Sequence, residues 1–168
     1  MMSEIFLGGG CFWCVEARFA MMPKVSCIPG YMGGHIENPT YEQVCSGLSG
    51  HYEVCRISGF RNLDEVLNNF WKIIDPFDPN GQFADQGSQY KTVIFYTNNH
   101  QKDLIIESIS NIEKQFDKVV ATIVLPAMTF YPAEEYHQQY YLKNPEHYRD
   151  YVHFSNRKYL LECIWNSK

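Results

Sequence analysis

The sequence predicts an α+β fold with a ferredoxin-like two-layer core, in which helices cover one face of a mixed, mainly antiparallel sheet. The first reason is the apolar pattern, which alternates between strand and helix periods in the order β-α-β-β-α-β-α-β. The second is a pair of long loops, residues 35–50 and 76–89, which are candidates to form a site. The third is the length of 168 residues without repeat or linker, which predicts a single domain over residues 1–168.

The first half of the pattern begins with a strand at residues 5–7 that runs into three glycines. A helix should start at Cys11 or Phe12, because apolar residues then recur at helical spacing until Pro23. Strands follow at residues 25–31 and 52–57. The order of these elements is the start of a βαββ arrangement.

The second half contains the clearest amphipathic helix, which should begin after Asn62, where Asn62 and Glu65 resemble a capping box. Its inward face is apolar: Leu63, Val66, Leu67, Phe70, Trp71 and Ile74. A strand at 90–96, a helix at 100–116 capped by Asn98 and a strand at 119–125 come next. The tail from residue 134 looks helical with a break at Pro145.

Composition excludes several classes of protein. The net charge is −5 and no long run of Lys or Arg occurs, so a nucleic-acid partner is not expected. The longest apolar stretch, residues 121–133, is interrupted and too short to span a bilayer, and the N-terminus lacks a basic signal-peptide region. We therefore expect a cytoplasmic protein with no membrane partner.

Six cysteines in a reducing compartment should be mostly free thiols. Cys27, Cys45, Cys55 and Cys163 are scattered, and we interpret them as small buried hydrophobic residues. Cys11 and Cys14 differ, because they form a C-x-x-C motif directly after Gly8-Gly9-Gly10. The glycines allow a sharp turn, the helix start favours a thiolate at Cys11, and Cys14 lies one turn further on, where a disulfide can close.

The motif alone leaves other interpretations open. A buried thiol pair at a helix start would serve structure only. A thioredoxin-like oxidoreductase would need a proline before a later strand, whereas Pro126 follows one. A zinc site built from Cys45, His51 and Cys55 lacks the usual ligand spacing.

Reduction of a sulfoxide by a thiol would use further residues of the chain. Such a reaction needs a thiolate, a proton for the sulfoxide oxygen and an apolar cage for the methyl thioether. Glu53, after a loop and among aromatic residues, could have a raised pKa and act as the acid. Tyr41 and Tyr90 offer hydroxyl donors to the same oxygen.

Along most of its length the chain resembles the methionine sulfoxide reductase A family. The resemblance rests on motifs that occur together and in order: Gly10-Cys11-Phe12-Trp13, Gly30-Tyr31-Met32-Gly33-Gly34, Asn38-Pro39-Thr40-Tyr41, Val44-Cys45-Ser46-Gly47, Gly50-His51-Tyr52-Glu53, Phe70-Trp71 with Asp75-Pro76, Asp85-Gln86-Gly87-Ser88-Gln89-Tyr90 and Tyr136-His137-Gln138-Gln139-Tyr140.

The resemblance implies that Cys11 is the nucleophile that attacks the sulfoxide sulfur. Phe12 and Trp13 would hold the substrate methyl group, and Glu53 would protonate the sulfoxide oxygen. The resulting sulfenic acid would be resolved by a second thiol.

Four further positions take roles from the same resemblance. Tyr41 and Tyr90 would bind the sulfoxide oxygen, Asp85 would orient the site, and His137 would lie close by. The implied reaction reduces the S epimer of methionine sulfoxide, free or within a protein, and thioredoxin recycles the enzyme. No metal or bound cofactor is implied, and we expect a monomer.

Three departures from the family pattern affect these expectations. Ser88 replaces the usual threonine but keeps the hydroxyl, and Tyr52 stands where alanine is common, so its ring could reshape the pocket or face the core. Many relatives carry a resolving cysteine in a glycine-rich tail, which is missing from residues 144–168. We therefore expect Cys14 to be the resolving thiol, with Cys163 as the alternative.

Overall fold

The computed structural model describes residues 3–166 of the chain. Its central feature is a six-stranded sheet in the order β7-β6-β1-β3-β2-β8, and a separate β4–β5 hairpin lies outside it. The strands are β1 (Glu4–Gly8), β2 (Ser26–Met32), β3 (Tyr52–Ser58), β4 (Gly81–Gln82), β5 (Asp85–Gln86), β6 (Val93–Tyr96), β7 (Ile123–Pro126) and β8 (Tyr131–Pro132).

The inner strands confirm the predicted fold class. The order β6-β1-β3-β2 is that of a βαββαβ unit, and every pairing in the large sheet is antiparallel except β6 with β7. In the β2–β3 ladder Tyr31 lies opposite Glu53, so both side chains point to the same face of the sheet.

Three of the helices form the second layer and enclose the main core. The helices are α1 (Phe12–Phe19), α2 (Tyr41–Cys45), α3 (Leu63–Trp71), α4 (Asn99–Phe116), α5 (Tyr140–Lys143), α6 (Pro145–Ser155) and α7 (Arg157–Trp165). Apolar residues of α1, α3 and α4 pack against Ile5, Leu7 and Ile57 of the sheet. On the opposite face Ala127 and Phe130, which follow β7, pack in place of a helix against a smaller buried cluster around Phe6 and Phe95.

Helix starts follow the predicted capping residues. The Asn62 side chain accepts hydrogen bonds from the backbone N–H groups of Asp64 and Glu65, and Asn98 accepts one from Gln101. Pro145 occupies the first turn of α6, where a missing N–H costs nothing. The predicted break in the tail at Pro145 is therefore confirmed as the start of a new helix.

The long loops contain short elements that apolar periodicity did not predict. Within residues 35–50 a capping box of Thr40 and Gln43 starts α2, and within residues 76–89 lies the β4–β5 hairpin. The predicted strand at 90–96 begins only at Val93, because Ser88–Tyr90 form a 3₁₀ turn. These elements are too short for periodicity to reveal them.

The four scattered cysteines only partly match their prediction. Cys55 is buried and Cys27 is half-buried, but Cys45 and Cys163 are exposed, so the interpretation of those two as buried hydrophobic residues is wrong. Cys45 is the last residue of α2, where its thiol shares hydrogen bonds with Tyr41 and Tyr90, and Cys163 lies in the last turn of α7. Within residues 3–166, no helix has the length and hydropathy to cross a membrane.

Candidate active site

A sharp turn between β1 and α1 places Cys11. Gly10 has φ of 84°, and a Cβ atom there would lie 2.7 Å from Cβ of Gln82, so conformation and space both require glycine. Cys11 is the residue directly before the first turn of α1, as predicted, and its thiol is 6% exposed.

Cys11 and Cys14 form a hydrogen-bonded thiol pair. The Cys14 N–H donates to the Cys11 carbonyl oxygen at 3.1 Å, which closes a turn between the two residues, and their thiol groups share a side-chain hydrogen bond. Burial, followed by the neighbouring Cys14, raises the pKa of Cys11 well above its ordinary value. The hydrogen bond from Cys11 lowers the pKa of Cys14 to about 6, and the positive charge of Arg157 and a hydrogen bond from Tyr148 act in the same direction.

The resting pair therefore carries its negative charge on Cys14, with Cys11 as the hydrogen-bond donor. This differs from the expectation that the helix start favours a thiolate at Cys11, because desolvation outweighs the helix dipole at a buried sulfur. The two thiols titrate as one unit, so a proton can pass from Cys11 to Cys14 within it.

Glu53 lies beside this pair on β3 and is 2% exposed. The backbone N–H of Phe12 donates to its Oε1 at 3.1 Å. Burial raises the pKa of Glu53 to about 8; the Phe12 hydrogen bond opposes this shift and the negative charge of Asp85 adds to it. At neutral pH the carboxyl group is thus mostly protonated, with Oε1 as acceptor and the proton available on Oε2.

Tyr41 and Tyr90 present hydroxyl groups near the same carboxyl. Burial, followed for both by the charge of Glu53, raises the pKa of each tyrosine, so both stay protonated donors. Tyr41 is fixed at the start of α2, where its backbone N–H donates to Glu134 Oε2 at 2.9 Å. The other oxygen of Glu134 accepts from Tyr31 at 2.9 Å, which ties α2 to β2.

Trp13 is held on several sides by polar aromatic residues. Its ring stacks on Tyr140 with centroids 3.9 Å apart and 6° between the planes, and the edge of Tyr151 packs against it at 5.7 Å. Its indole N–H donates to Nδ1 of His137 at 3.1 Å. Trp13 is therefore oriented as a rigid wall beside Cys11 rather than free to rotate.

His137 is buried and neutral. Burial lowers its pKa, and because an indole N–H can only donate, Nδ1 must be the acceptor and the ring proton must be on Nε2. Its ring also contacts Phe12 at 5.1 Å and Tyr41 at 4.4 Å between centroids. His137 thus joins the aromatic wall to the tyrosine that faces Glu53.

Asp85 acts on the site through Tyr151. It accepts a hydrogen bond from the Tyr151 hydroxyl, and Tyr151 packs against Trp13. Burial raises the pKa of Asp85, whereas the bond from Tyr151 and the charge of Arg157 lower it. The carboxyl therefore positions the Trp13 wall and adds negative charge near Glu53.

The structure brings all nine predicted site residues into one cluster at the start of α1. Contacts or charge effects connect Cys11, Cys14, Phe12, Trp13, Tyr41, Glu53, Asp85, Tyr90 and His137. Sequence reasoning missed five supporting residues: Tyr31, Glu134, Tyr148, Tyr151 and Arg157. The spacing of Tyr148 and Tyr151 on one helical face was a usable signal, but nothing marked Arg157 as buried.

Tyr52 and His51 face away from the thiols. Tyr52 packs on Phe95 in the cluster on the opposite face of the sheet, so its ring does not reshape the pocket. The His51 ring spans a loop, with Nδ1 accepting from Gly34 and Nε2 bonded to the Ile36 carbonyl oxygen. Among residues 3–166, no group of three or more His, Cys, Asp or Glu side chains could hold a metal ion.

The His137 hydrogen bond yields a first prediction. His137→Phe keeps an aromatic ring but removes the acceptor for Trp13, and a neutral hydrogen bond of about 1 kcal/mol corresponds to a loss of roughly fivefold. We expect kcat/KM for a sulfoxide substrate to fall by about that factor, measured in steady state. His137→Gln restores an acceptor and should recover part of the loss; equal activity of His137→Phe and wild type would contradict the assignment.

Comparisons with known proteins identify the family to which the chain belongs. The family model described as Peptide methionine sulfoxide reductase matches residues 3–168. The peptide methionine sulfoxide reductase MsrA of Halalkalibacterium halodurans is 45% identical over 98% of this chain and 97% of its own length. MsrA 2 of Staphylococcus aureus is 43% identical over 96% of this chain and 95% of its own.

Solved structures show the same fold. Mxr1 from Saccharomyces cerevisiae in reduced form has a TM-score of 0.82 and 29% identity, covering 86% of this chain and 87% of its own. The chain belongs to the peptide methionine sulfoxide reductase family. It is an oxidoreductase that reduces methionine sulfoxide by means of a cysteine.

Proposed function

We propose that this chain reduces the S epimer of methionine sulfoxide, with Cys11 as nucleophile and Glu53 as general acid. The observation that carries the proposal is the Cys11 thiol held beside a buried carboxyl group that is mostly protonated at neutral pH. In this step the proton of Cys11 passes to Cys14, the Cys11 thiolate bonds to the sulfoxide sulfur, and the proton of Glu53 goes to the sulfoxide oxygen. The oxygen then moves to Cys11: a bond forms between it and the Cys11 sulfur, its bond to the substrate sulfur and the bond between the two sulfurs break, and methionine leaves. The sulfoxide is thereby reduced, and Cys11 is oxidised to a sulfenic acid.

The hydroxyl groups of Tyr41 and Tyr90 hold the sulfoxide oxygen while it gains charge. Both are protonated, and the electrostatic effect that ionised Glu53 would have on each supports a position near the acid. Hydrogen-bond donors that point at a developing negative charge stabilise it more strongly in a site with little water than in solution. Asp85 orients this arrangement through Tyr151.

The wall formed by Phe12 and Trp13 holds the methyl thioether part of the substrate. Trp13 is only partly buried, so one part of its ring remains available to a ligand. Phe12 is 1% exposed and backs the wall from the core side. His137 fixes the orientation of both rings.

Cys14 is the resolving thiol in this proposal. Its thiolate attacks the sulfur of the Cys11 sulfenic acid; the S–S bond forms, the S–O bond breaks, and the leaving hydroxide takes a proton to become water. Cys14 already shares a hydrogen bond with Cys11, whereas Cys163 is exposed on α7 and bonds to Tyr159. This difference favours Cys14 over Cys163.

A thioredoxin then reduces the Cys11–Cys14 disulfide by exchange, becoming oxidised itself. Mxr1 from Saccharomyces cerevisiae has been solved in complex with Trx2, which supports a partner of this kind. The substrates are oxidised proteins or free methionine sulfoxide. We further propose that the protein is a monomer with one domain over residues 1–168. We also propose a cytoplasmic location, because all six cysteines are free.

Cys14→Ser separates the chemical step from recycling. We expect one equivalent of methionine per protein, followed by a sulfenic acid on Cys11 that dimedone traps, because no neighbouring thiol condenses with it. Steady-state turnover with thioredoxin should fall. Quenched-flow sampling measures the methionine released, mass mapping detects the dimedone adduct on Cys11, and a steady-state assay with thioredoxin gives the turnover.

Cys163→Ser is the matched control and should behave as wild type, with a Cys11–Cys14 disulfide after one turnover. A Cys11–Cys163 disulfide in the wild-type protein would overturn the assignment of Cys14. No methionine from the folded, reduced wild type would overturn the proposed reaction itself.

A further inference from the structure

Arg157 is a buried cation near the thiol pair, and the proposed reaction gives it no role. It is the first residue of α7, directly after Asn156 in a left-handed conformation, and is 4% exposed. A guanidinium group keeps its charge at every accessible pH. Burying that charge is costly unless an anion and hydrogen-bond acceptors compensate it, so its surroundings call for an explanation.

Backbone carbonyl groups hold one side of the guanidinium group. Its Nη2 donates to the carbonyl oxygens of Gly9 at 2.9 Å and Ile73 at 2.6 Å, and its plane lies 4.8 Å from the ring centre of Phe83. These contacts tie α7 to the glycine turn before Cys11 and to the hairpin that carries Asp85. They fix where the charge sits.

A second nitrogen of the guanidinium group, Nη1, faces the glycine turn and has no hydrogen-bond partner among the described residues. Nη1 is buried, and a Cβ atom on Gly10 would lie 3.5 Å from it. Carbonyl groups therefore satisfy only part of the cation. Cys14 and Asp85 are groups near Arg157 that can supply compensating negative charge, and Arg157 lowers the pKa of both.

We propose that Arg157 is a positioning residue for the reaction: it is the counter-cation of the Cys11–Cys14 pair, and it holds Cys14 in the thiolate form that resolves the sulfenic acid. The kinetic part of this inference rests on the proposed function, but the charge itself can be measured without turnover.

Other groups around Cys14 also set its charge. Cys11 and Tyr148 donate hydrogen bonds to it and favour the thiolate, whereas burial and the negative charge of Asp85 oppose it. Glu53 and Tyr151 lie within electrostatic reach as well. Since burial and the carboxyl groups disfavour an anion here, the fixed positive charge of Arg157 adds to the hydrogen bonds from Cys11 and Tyr148 that favour one at neutral pH.

The test measures alkylation of Cys14 by iodoacetamide from pH 5 to 9, with each cysteine quantified by mass mapping. In the wild type the midpoint should lie well below the value of about 8.5 of an ordinary thiol. Arg157→Met removes the charge and should raise the midpoint by about one pH unit or more. Arg157→Lys keeps the charge but loses the fork of donors, and should stay near wild type.

A purely structural role predicts another result. Lysine and methionine both lose the paired bonds to Gly9 and Ile73, so both variants would then lose stability without a selective rise of the midpoint in Arg157→Met. Exposed Cys163 is the internal control, and its alkylation should be the same in all three proteins. An unchanged midpoint in folded Arg157→Met overturns the proposal; if that variant does not fold, a wild-type midpoint at or above 8.5 overturns it.

Single-turnover kinetics separate this inference from the reaction it rests on. Arg157→Met should release one equivalent of methionine but form the disulfide more slowly at pH 7, with the difference shrinking at higher pH. A wild type that reduces no sulfoxide but shows the shifted midpoints would remove the reaction and leave the role of Arg157 intact. A wild type that reduces sulfoxide but shows no lowered alkylation midpoint for Cys14 would remove the role of Arg157 and leave the reaction intact.

Discussion

Cys11→Ser abolishes sulfoxide reduction, because a hydroxyl group at this position is neither nucleophilic enough to attack sulfur nor able to store the oxygen as a sulfenic acid. The variant should fold, since serine is close to cysteine in size and the Cys14 N–H bond uses only the Cys11 backbone carbonyl. The measurement is methionine release over many hours with dithiothreitol as reductant, which bypasses recycling.

Cys27→Ser is the matched control for Cys11→Ser. It removes a half-buried thiol on β2, outside the proposed machinery, and should retain turnover. Residual turnover of Cys11→Ser near the wild-type rate would show that another thiol attacks the substrate. The same loss in Cys27→Ser would point to a general sensitivity of the fold.

Glu53→Gln lowers kcat/KM by about 10²- to 10⁴-fold, the usual contribution of a positioned general acid. The amide still accepts the Phe12 hydrogen bond but has no proton of suitable acidity to give. The pKa of about 8 also sets the pH dependence: wild-type activity should fall as pH rises through about 8, where the carboxyl loses its proton. The residual activity of Glu53→Gln should lack that fall.

Stability gives an independent check on Glu53. The pKa of Glu53 is about 8 in the folded protein against an ordinary value of 4.5, so the folded state binds the proton more tightly. The stability that this provides is present below pH 4.5 and is lost as pH rises through about 8. As the pH rises from 5 to 8, Tm should therefore fall less in Glu53→Gln than in the wild type. Identical pH profiles of activity and of Tm in both proteins would remove Glu53 as a buried acid.

The fold was largely predictable because its core elements are long and periodic. The α3 and α4 helices have clear apolar faces and capping asparagines, and the four inner strands follow from the βαββαβ order. The elements that were missed, α2 and the β4–β5 hairpin, have too few residues to show a period. The Thr40 and Gln43 capping box was a local sequence signal for α2, whereas the two residue pairs of the β4–β5 hairpin show no pattern in the sequence.

The site was predictable in its members but not in its electrostatics. The family resemblance named Cys11, Glu53 and their neighbours, and the structure brings them together. The charge of the thiol pair depends on desolvation and on Arg157, which lies 146 positions after Cys11 in the chain and carries no local signal. Long-range burial of this kind cannot be read from spacing alone.

Separate incubation with the S and R epimers of a methionine sulfoxide substrate, with dithiothreitol as reductant, is the decisive test of the proposed reaction. We expect the folded, reduced protein to convert the S epimer to methionine and to leave the R epimer unchanged. Conversion of the R epimer alone, or of neither epimer, would contradict it.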